Sequence, residues 1–363
     1  MKFKVVDLPQ GVQTIGNVLN KNGFKAYVVG GAVRDYLLGR PPKDWDIATS
    51  AKPEDVMRIF EGMDFKIWPM GQKYGIVKVQ AGTDDYDITT LRKRISFEGG
   101  KSQVAEYSDS IEEDLAFRDL TINALAIDIQ TGEIIDPHGG QEDLKNGIVR
   151  AIGDPDERLK EGPIRSLRAI RFAVKYNFKL DQETANTIKR HASELKMVAG
   201  GRIKRELNTM LLLDDASRAL RMLRDTGVAR ALFPEVNLDE AIEKINDLPK
   251  NLEERWAEIL KDTGKGEKIS TAIARQIMRR LGFVLAEIEK VNRLIYSKGE
   301  QKLTADDLDI TEKELQKLGI TPEEMETIKT QLINLIVFRP EKNKNSILKN
   351  RVKKWKQGVA IEK

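Results

Sequence analysis

Cysteine is absent from all 363 residues, which excludes disulfide scaffolds, cysteine-based zinc sites and thiol redox chemistry, and fits a reducing compartment. Histidine is limited to His138 and His191, and aromatics to 6% of the chain. No apolar run approaches the ~18 residues of a membrane helix, and the N-terminus is short and charged. Neither a signal peptide nor a membrane span is expected, so the protein is expected to be cytoplasmic. An excess of one charge is missing too. With 61 basic against 57 acidic side chains the net charge is +4, so distribution matters more than the sum.

What is present is length enough for two or three packed domains and one informative stretch, from Tyr27 to Asp46. Tyr27-Val28-Val29 has the pattern of a buried strand, and Gly30-Gly31 allows a sharp turn that leaves free amides at the start of the next helix, a favourable place for phosphate. After Gly39-Arg40-Pro41-Pro42 the chain presents Asp44 and Asp46 at alternate positions. In extended chain these point to one side, with Trp45 packed behind. Two convergent carboxylates suit Mg²⁺, a hard cation that accepts oxygen ligands together with substrate phosphates.

Gly30-Gly31-Ala32-Val33-Arg34-Asp35 followed by Lys43-Asp44-Trp45-Asp46-Ile47-Ala48-Thr49 resembles the catalytic signature of the class II tRNA nucleotidyltransferase and bacterial poly(A) polymerase family. Taken in order, residues 1–150 alternate short β-like runs with helices. Helices are expected over Gly11–Asn22 and Lys52–Phe60, and strands at Ile76–Val79 and Tyr86–Leu91. Asp87 sits where Tyr86, Ile88 and Thr90 would face the other side, so it can join the aspartate pair as a third carboxylate. The polar segment from Arg92 to Asp109, with Gly99-Gly100, is expected to be a mobile loop over the cleft. Beyond about 150 the β signals stop, and short breakers such as Gly200-Gly201, Pro234, Pro249, Gly264-Lys265-Gly266 and Thr321-Pro322 divide helices. The fold class is therefore α+β, with an all-helical remainder.

A second motif similar to the family's runs from Arg118 to Leu125. Arg118 offers a planar cation suited to a triphosphate, while Asp119 and Asn123, four apart, are neighbours on one face if the stretch is helical and can hold a ribose hydroxyl. Phe117 stands where the family usually has a second arginine. Asp136-Pro137-His138-Gly139-Gly140 closes the head, His138 being read as a turn residue rather than a catalytic one. His191 falls in a helical pattern, at the surface or in the core. With two isolated histidines, the metal-dependent HD domain of some family members is not expected.

The third motif is Glu161-Gly162-Pro163-Ile164-Arg165 and the residues after it. Ile164, Leu167 and Ile170 form an apolar stripe, and Arg165, Arg168 and Arg171 run beside it. Glu161 can pair with Arg165, but no acidic residue lies four positions before Arg168 or Arg171, which invites an anionic ligand. In the family this motif is Glu-Asp-x-x-Arg. Its Asp and Arg read the incoming base: a carboxylate acceptor beside a guanidinium donor accepts cytosine and adenine and rejects uracil and guanine. Here the Asp position is Gly162, which puts nucleotide specificity in doubt more than catalysis. Arg202-Ile203-Lys204-Arg205 and Leu223–Pro234 continue the likeness, which fades past about residue 240. From Arg339 to Lys363 there are nine basic and two acidic residues, with Trp355 among Lys353, Lys354 and Lys356. This is either an RNA-backbone surface or a disordered basic tail.

The resemblance, covering about residues 25–235, implies a polymerase-beta-like nucleotidyltransferase head with a mixed β-sheet (1–150), a helical neck that selects the nucleotide (151–235), and a helical body and tail that bind tRNA (236–363). It implies template-independent addition of CMP and/or AMP, from CTP and ATP, to the 3′ end of tRNA by two-metal nucleotidyl transfer. Asp44 and Asp46 would be Mg²⁺ ligands, Asp87 a catalytic carboxylate, and Gly30, Gly31, Arg34, Arg118, Asp119, Asn123, Glu161, Gly162, Arg165, Arg168 and Arg171 nucleotide contacts. Within the family the alternatives are a CC-only or A-only enzyme or a poly(A) polymerase. Outside it, the alternatives are a small-molecule nucleotidyltransferase or a non-catalytic RNA-binding protein.

Overall fold

The computed structural model describes residues 4–63, 65–68, 75–98, 101–262, 271–298, 308–338 and 342–356. The chain forms two compact units, Met1–Val198 and Ala199–Lys363, so residues 151–198, expected to open the neck, share a unit with the head. No helix among the described residues is long and apolar enough to cross a membrane.

The first unit is built on a seven-stranded mixed sheet. Its strands are β1 (Ala26–Val29), β2 (Ile47–Thr49), β3 (Lys66–Trp68), β4 (Ile76–Ala81), β5 (Asp84–Thr90), β8 (Ala126–Asp128) and β9 (Ile134–Ile135), between which β6 (Arg92–Glu98) and β7 (Lys101–Tyr107) form a separate pair. The order is β3-β4-β5-β2-β1-β8-β9. One pairing positions the site: β2 and β5 run parallel with Ile47 opposite Ile88, which brings the residues just before them, Asp46 and Asp87, side by side. Burial along β5 alternates, Tyr86, Ile88 and Thr90 inside and Asp87 on the other face, as the period-two reading expected. Tyr27, Val29, Ala48, Leu91, Leu115 and Ala126 pack into one buried cluster, each large side chain worth about 1.5–3 kcal/mol when fully buried.

Helices α1 (Gln10–Lys21) and α3 (Pro53–Phe60) follow the expected boundaries closely, α1 burying Val12, Ile15 and Leu19, and α2 (Gly31–Leu37) starts within the Gly-Gly turn itself. After them come α4 (Ile111–Ala116), α5 (Gly140–Asn146), α6 (Pro155–Glu161), α7 (Ile164–Tyr176) and α8 (Gln182–His191). Ile164, Leu167 and Ile170 of α7 are buried, so the stripe reading holds. The second unit is helical through α9 (Gly200–Leu211), α10 (Ala216–Asp225), α11 (Val228–Leu232), α12 (Asp239–Lys244), α13 (Leu252–Ile259), α14 (Thr271–Arg280), α15 (Leu285–Lys298), α16 (Glu312–Lys317), α17 (Pro322–Phe338) and α18 (Asn345–Lys356).

Four expectations need correction. Arg92–Glu98 and Lys101–Tyr107, expected within a loop over 92–109, are strands: β6 and β7 pair antiparallel, with Ile95 opposite Val104. The Ile95 and Phe97 alternation in β6 is the local signal for a strand, outweighed by the many charged residues around it; Gly99-Gly100 lie outside the described residues. Strand structure also continues past 150, because Lys179–Leu180 (β11) pairs parallel with Ile148–Val149 (β10); two residues carry no readable period. Residues 121–123 form a 3₁₀ turn rather than an α-helix. Trp355 is no exposed aromatic. It packs against the buried cluster of Leu308, Leu315, Leu332, Leu348 and Val352, while Lys353, Lys354 and Lys356 stay exposed on an ordered helix. Gly264-Lys265-Gly266 and the ends of the 339–363 stretch lie outside the described residues.

His191, at the C-terminus of α8, is mostly buried and bridges two carboxylates: Nε2 lies 2.6 Å from Asp156 of α6 and Nδ1 2.6 Å from Glu194. These two hydrogen bonds raise its pKa above the usual histidine value. A raised histidine stabilises fully below the unfolded pKa, about 6.5, and the contribution is lost as pH rises through the folded value. His191→Gln is therefore expected to lower Tm by about 2 °C at pH 6, with the difference shrinking toward pH 9. Thermal melts across that range check it; a difference that does not change with pH contradicts the charged bridge.

Candidate active site

The sheet and the Gly-Gly turn assemble the first part of the site. Gly30 sits at φ +69° and ψ −118°, a region closed to other residues, and a Cβ there would lie 2.7 Å from Arg118 Nη1. The glycine thus permits both the turn and the close approach of the guanidinium. Asp44 and Asp46 lie in the irregular stretch just before β2 rather than inside it, and the Asp46 carbonyl accepts the Val29 N–H at 3.0 Å. Both carboxylates are exposed, as ligands for a solvent-borne cation must be. Neighbouring protein partly desolvates the otherwise exposed Asp46 carboxyl and raises its pKa, Asp87 and Asp44 adding to the rise; Arg118 and Lys78 oppose it. The electrostatics therefore place all three aspartates in one neighbourhood.

Arg118 is held by Asp114, a carboxylate only 1% exposed that accepts from Arg118 Nη2 at 3.3 Å and from Arg92 Nε at 3.0 Å. The Nε of Arg118 is buried without a partner among the described residues. A donor in that state beside the Gly30 turn is suited to an anionic ligand. The signal for Asp114 in the sequence is local: it ends a run of three acidic residues in the first turn of α4, four positions before Arg118.

A second network lies behind the first. Arg34 is buried: it hydrogen-bonds Asp35 at 3.0 Å and Asn123 Oδ1, and its guanidinium lies 5.0 Å from the Phe172 ring and 4.8 Å from the Tyr176 ring. The Tyr176 hydroxyl donates to Asp35 at 2.7 Å. Expected to face the nucleotide, Arg34 is instead the bond between α2, the Asn123 turn and α7. Asn123 Nδ2 donates in turn to Asp119 Oδ1 at 3.0 Å, so the expected i, i+4 contact forms without an α-helix. Asp119 Oδ2 accepts from Arg168 Nε at 2.6 Å. Burial would raise the Asp119 pKa, but Arg168, the Asn123 bond and Arg165 hold it below the usual carboxylate range. Arg168 is thus compensated after all, by a residue 49 positions away that helical spacing cannot reveal. Arg171 stacks on Phe172 at 4.3 Å.

The third part surrounds Gly162. Glu161 Oε2 accepts from Arg158 Nη1 and Arg165 Nη1, both at 3.0 Å, and Arg165 also donates to the carbonyls of Arg158 and Phe117 at 2.8 and 3.1 Å. Burial, with Arg158 nearby, pulls the Arg165 pKa below the usual arginine value. The nearest atoms to a Cβ on Gly162 would be those of the Arg165 side chain, at 3.5 Å and beyond, so a Cβ fits there in ordinary contact. His138 stays in its turn, and burial lowers its pKa.

Residues 26–150 match the family described as Poly A polymerase head domain, and residues 177–239 that described as Probable RNA and SrmB- binding site of polymerase A. The CCA-adding enzyme of Ligilactobacillus salivarius (strain UCC118) is 39% identical over 251 residues, 68% of this chain and 61% of that protein. That of Anoxybacillus flavithermus (strain DSM 21510 / WK1) is 37% identical over 270 residues, 72% of this chain and 67% of that protein. The chain therefore spans about two thirds of the length of these curated relatives. The crystal structure of Bacillus stearothermophilus CCA-adding enzyme in complex with CTP is similar with a TM-score of 0.65 and 26% identity, covering 96% of this chain and 98% of that one. The head has the nucleotidyltransferase fold, followed by a mostly helical remainder. The chain belongs to the Poly A polymerase head-domain family, to which the CCA-adding enzymes belong. That family uses a divalent metal, and the donors fit one: hard carboxylate oxygens whose mutual repulsion a cation would relieve.

Gly30→Ala is expected to cost roughly 1–3 kcal/mol of stability through backbone strain. It should also push Arg118 off its position and weaken nucleoside triphosphate binding. Melting and equilibrium binding of CTP measure the two effects; unchanged binding in a folded variant contradicts the Gly30–Arg118 arrangement.

Proposed function

We propose that this chain adds CMP and AMP to the 3′ end of tRNA without a template, with Mg²⁺ as its metal and CTP and ATP as donors, in the cytoplasm. The observation that carries the reading is the pair of exposed carboxylates, Asp44 and Asp46, with Arg118 near enough to Asp46 to oppose its raised pKa and packed at the Gly30 turn, in a head of this family. Asp44 and Asp46 would hold Mg²⁺, which when bound neutralises charge at the reacting phosphate. Arg118, oriented by Asp114, offers donors to the triphosphate. Asp119 and Asn123 set the face on which the sugar lies, and Arg34 acts through them as a positioning residue. Arg165, Arg168 and Arg171 line the nucleotide's place on the neck, a division at about 150 and 235 that belongs to the same proposal. Exposed Lys353, Lys354 and Lys356 offer a surface for the RNA backbone.

Gly162 supplies no side-chain acceptor for the exocyclic amine of cytosine or adenine. Glu161, with Oε2 bound to two arginines and 44% of its side chain exposed, is the nearest carboxylate on the same turn. Preference for C and A over U and G is expected to be weaker than a carboxylate at position 162 would give, by roughly ten- to a hundredfold.

Replacing Asp44 or Asp46 by Ala should abolish nucleotide addition while leaving tRNA affinity within about twofold, because charge stabilisation at the phosphate is lost and the RNA contacts lie elsewhere. Gel-resolved extension and a tRNA binding titration check both halves. Substantial turnover in the double variant would sink the assignment.

A further inference from the structure

Asp87 stands in β5 directly opposite Lys78 of β4, and the lysine Nζ lies 2.7 Å from Asp87 Oδ1. On the other side of β5 runs β2, whose chain leads back into Asp46. Asp87 therefore has a cation on one flank and the aspartate pair on the other, and its side chain is drawn to the cation. In keeping with this, no group of three or more His, Asp or Glu among the described residues closes around one point as a metal site. Both partners remain substantially exposed, at 32% and 45% of their side-chain surface, so the ion pair is weak enough for a stronger cation to displace. Lys78 and Arg118 are the two cations that act on Asp46, and of these Lys78 is the one ion-paired to Asp87.

We propose that Lys78 is a built-in counter-ion of the metal site, which competes with the divalent cation for Asp87 and so sets the metal affinity of the free protein. The inference rests on the reading of Asp44 and Asp46 as the metal-holding pair. Three like charges in one cleft repel each other, and an ammonium group against one of them relieves that repulsion before any metal binds. A divalent cation that recruits Asp87 must draw its carboxylate away from the lysine. Asp87 would then offer the metal an oxygen donor at the cost of its own pair with Lys78. Without Lys78, Asp87 is left free to turn toward Asp46, and the cleft carries one more uncompensated negative charge.

The test uses Mn²⁺ alone as the probe, with the full chain and neither nucleotide nor RNA, free metal being read by electron paramagnetic resonance. Lys78→Met, which keeps the length of the side chain and removes its charge, is expected to bind Mn²⁺ roughly tenfold more tightly than the unchanged protein. Lys78→Arg, which keeps the charge, should match the unchanged protein, and adding Asp87→Asn to Lys78→Met should abolish the gain. Equal or weaker binding in Lys78→Met overturns the proposal, and so does a gain of the same size in the Asp87→Asn background. If Asp46→Asn leaves Mn²⁺ binding untouched in the otherwise unchanged chain, the reading of the aspartate pair fails instead.

Discussion

The arrangement of the first unit depends on one buried cation. An arginine cannot shed its charge, so enclosing Arg34 requires partners for every face of the guanidinium. The structure supplies them from three places: Asp35 from its own helix, Asn123 from the turn after Arg118, and the rings of Phe172 and Tyr176 from α7. Breaking a buried pair by removing one partner costs about 3–5 kcal/mol, so these elements hold one mutual orientation. Through Asn123 and Asp119 the same orientation reaches Arg168, and through the turn that begins α2 it reaches Gly30 and Arg118.

Charge is sorted around that centre. Carboxylates that are exposed and mutually repelling lie at the end of β2 and on β5, where a cation is wanted. Carboxylates that are buried, Asp114 and Asp119, are each bound to arginines and serve to aim them. The difference is one of solvent: a buried aspartate persists as an anion only with charged donors against it, whereas an exposed pair can wait for its ligand. The same residue type thus does two jobs, separated by depth.

Much of this was legible in the sequence where the signal is local. The strand before Gly30-Gly31, the alternation that turns Asp87 away from Tyr86 and Ile88, and the three-residue steps along α7 each depend on neighbours in the chain, and each appears where expected. What escaped was tertiary. Arg168 seemed uncompensated because its partner, Asp119, comes from another segment, and Arg34 seemed free to meet a ligand because nothing local says that Phe172 and Tyr176 enclose it. The β6–β7 pair is hard to read because its short Ile95–Phe97 alternation is set among charged residues, and the lysines around Trp355 mask the packing of α18. Periodicity reports which face a residue takes, and only the fold reports what waits there.

The central claim is that an aspartate pair, an aimed arginine and a base-reading neck together extend the 3′ end of tRNA. The most direct measurement is to incubate the full chain and Mg²⁺ with tRNAs ending before the CCA, after the first C and after CC, supplying each of the four nucleoside triphosphates alone, and to read product lengths on a gel. The account predicts that C extends the first two and A extends the third, in preference to U and G. Failure to extend any of the three, or A tails added regardless of how the tRNA ends, would contradict it.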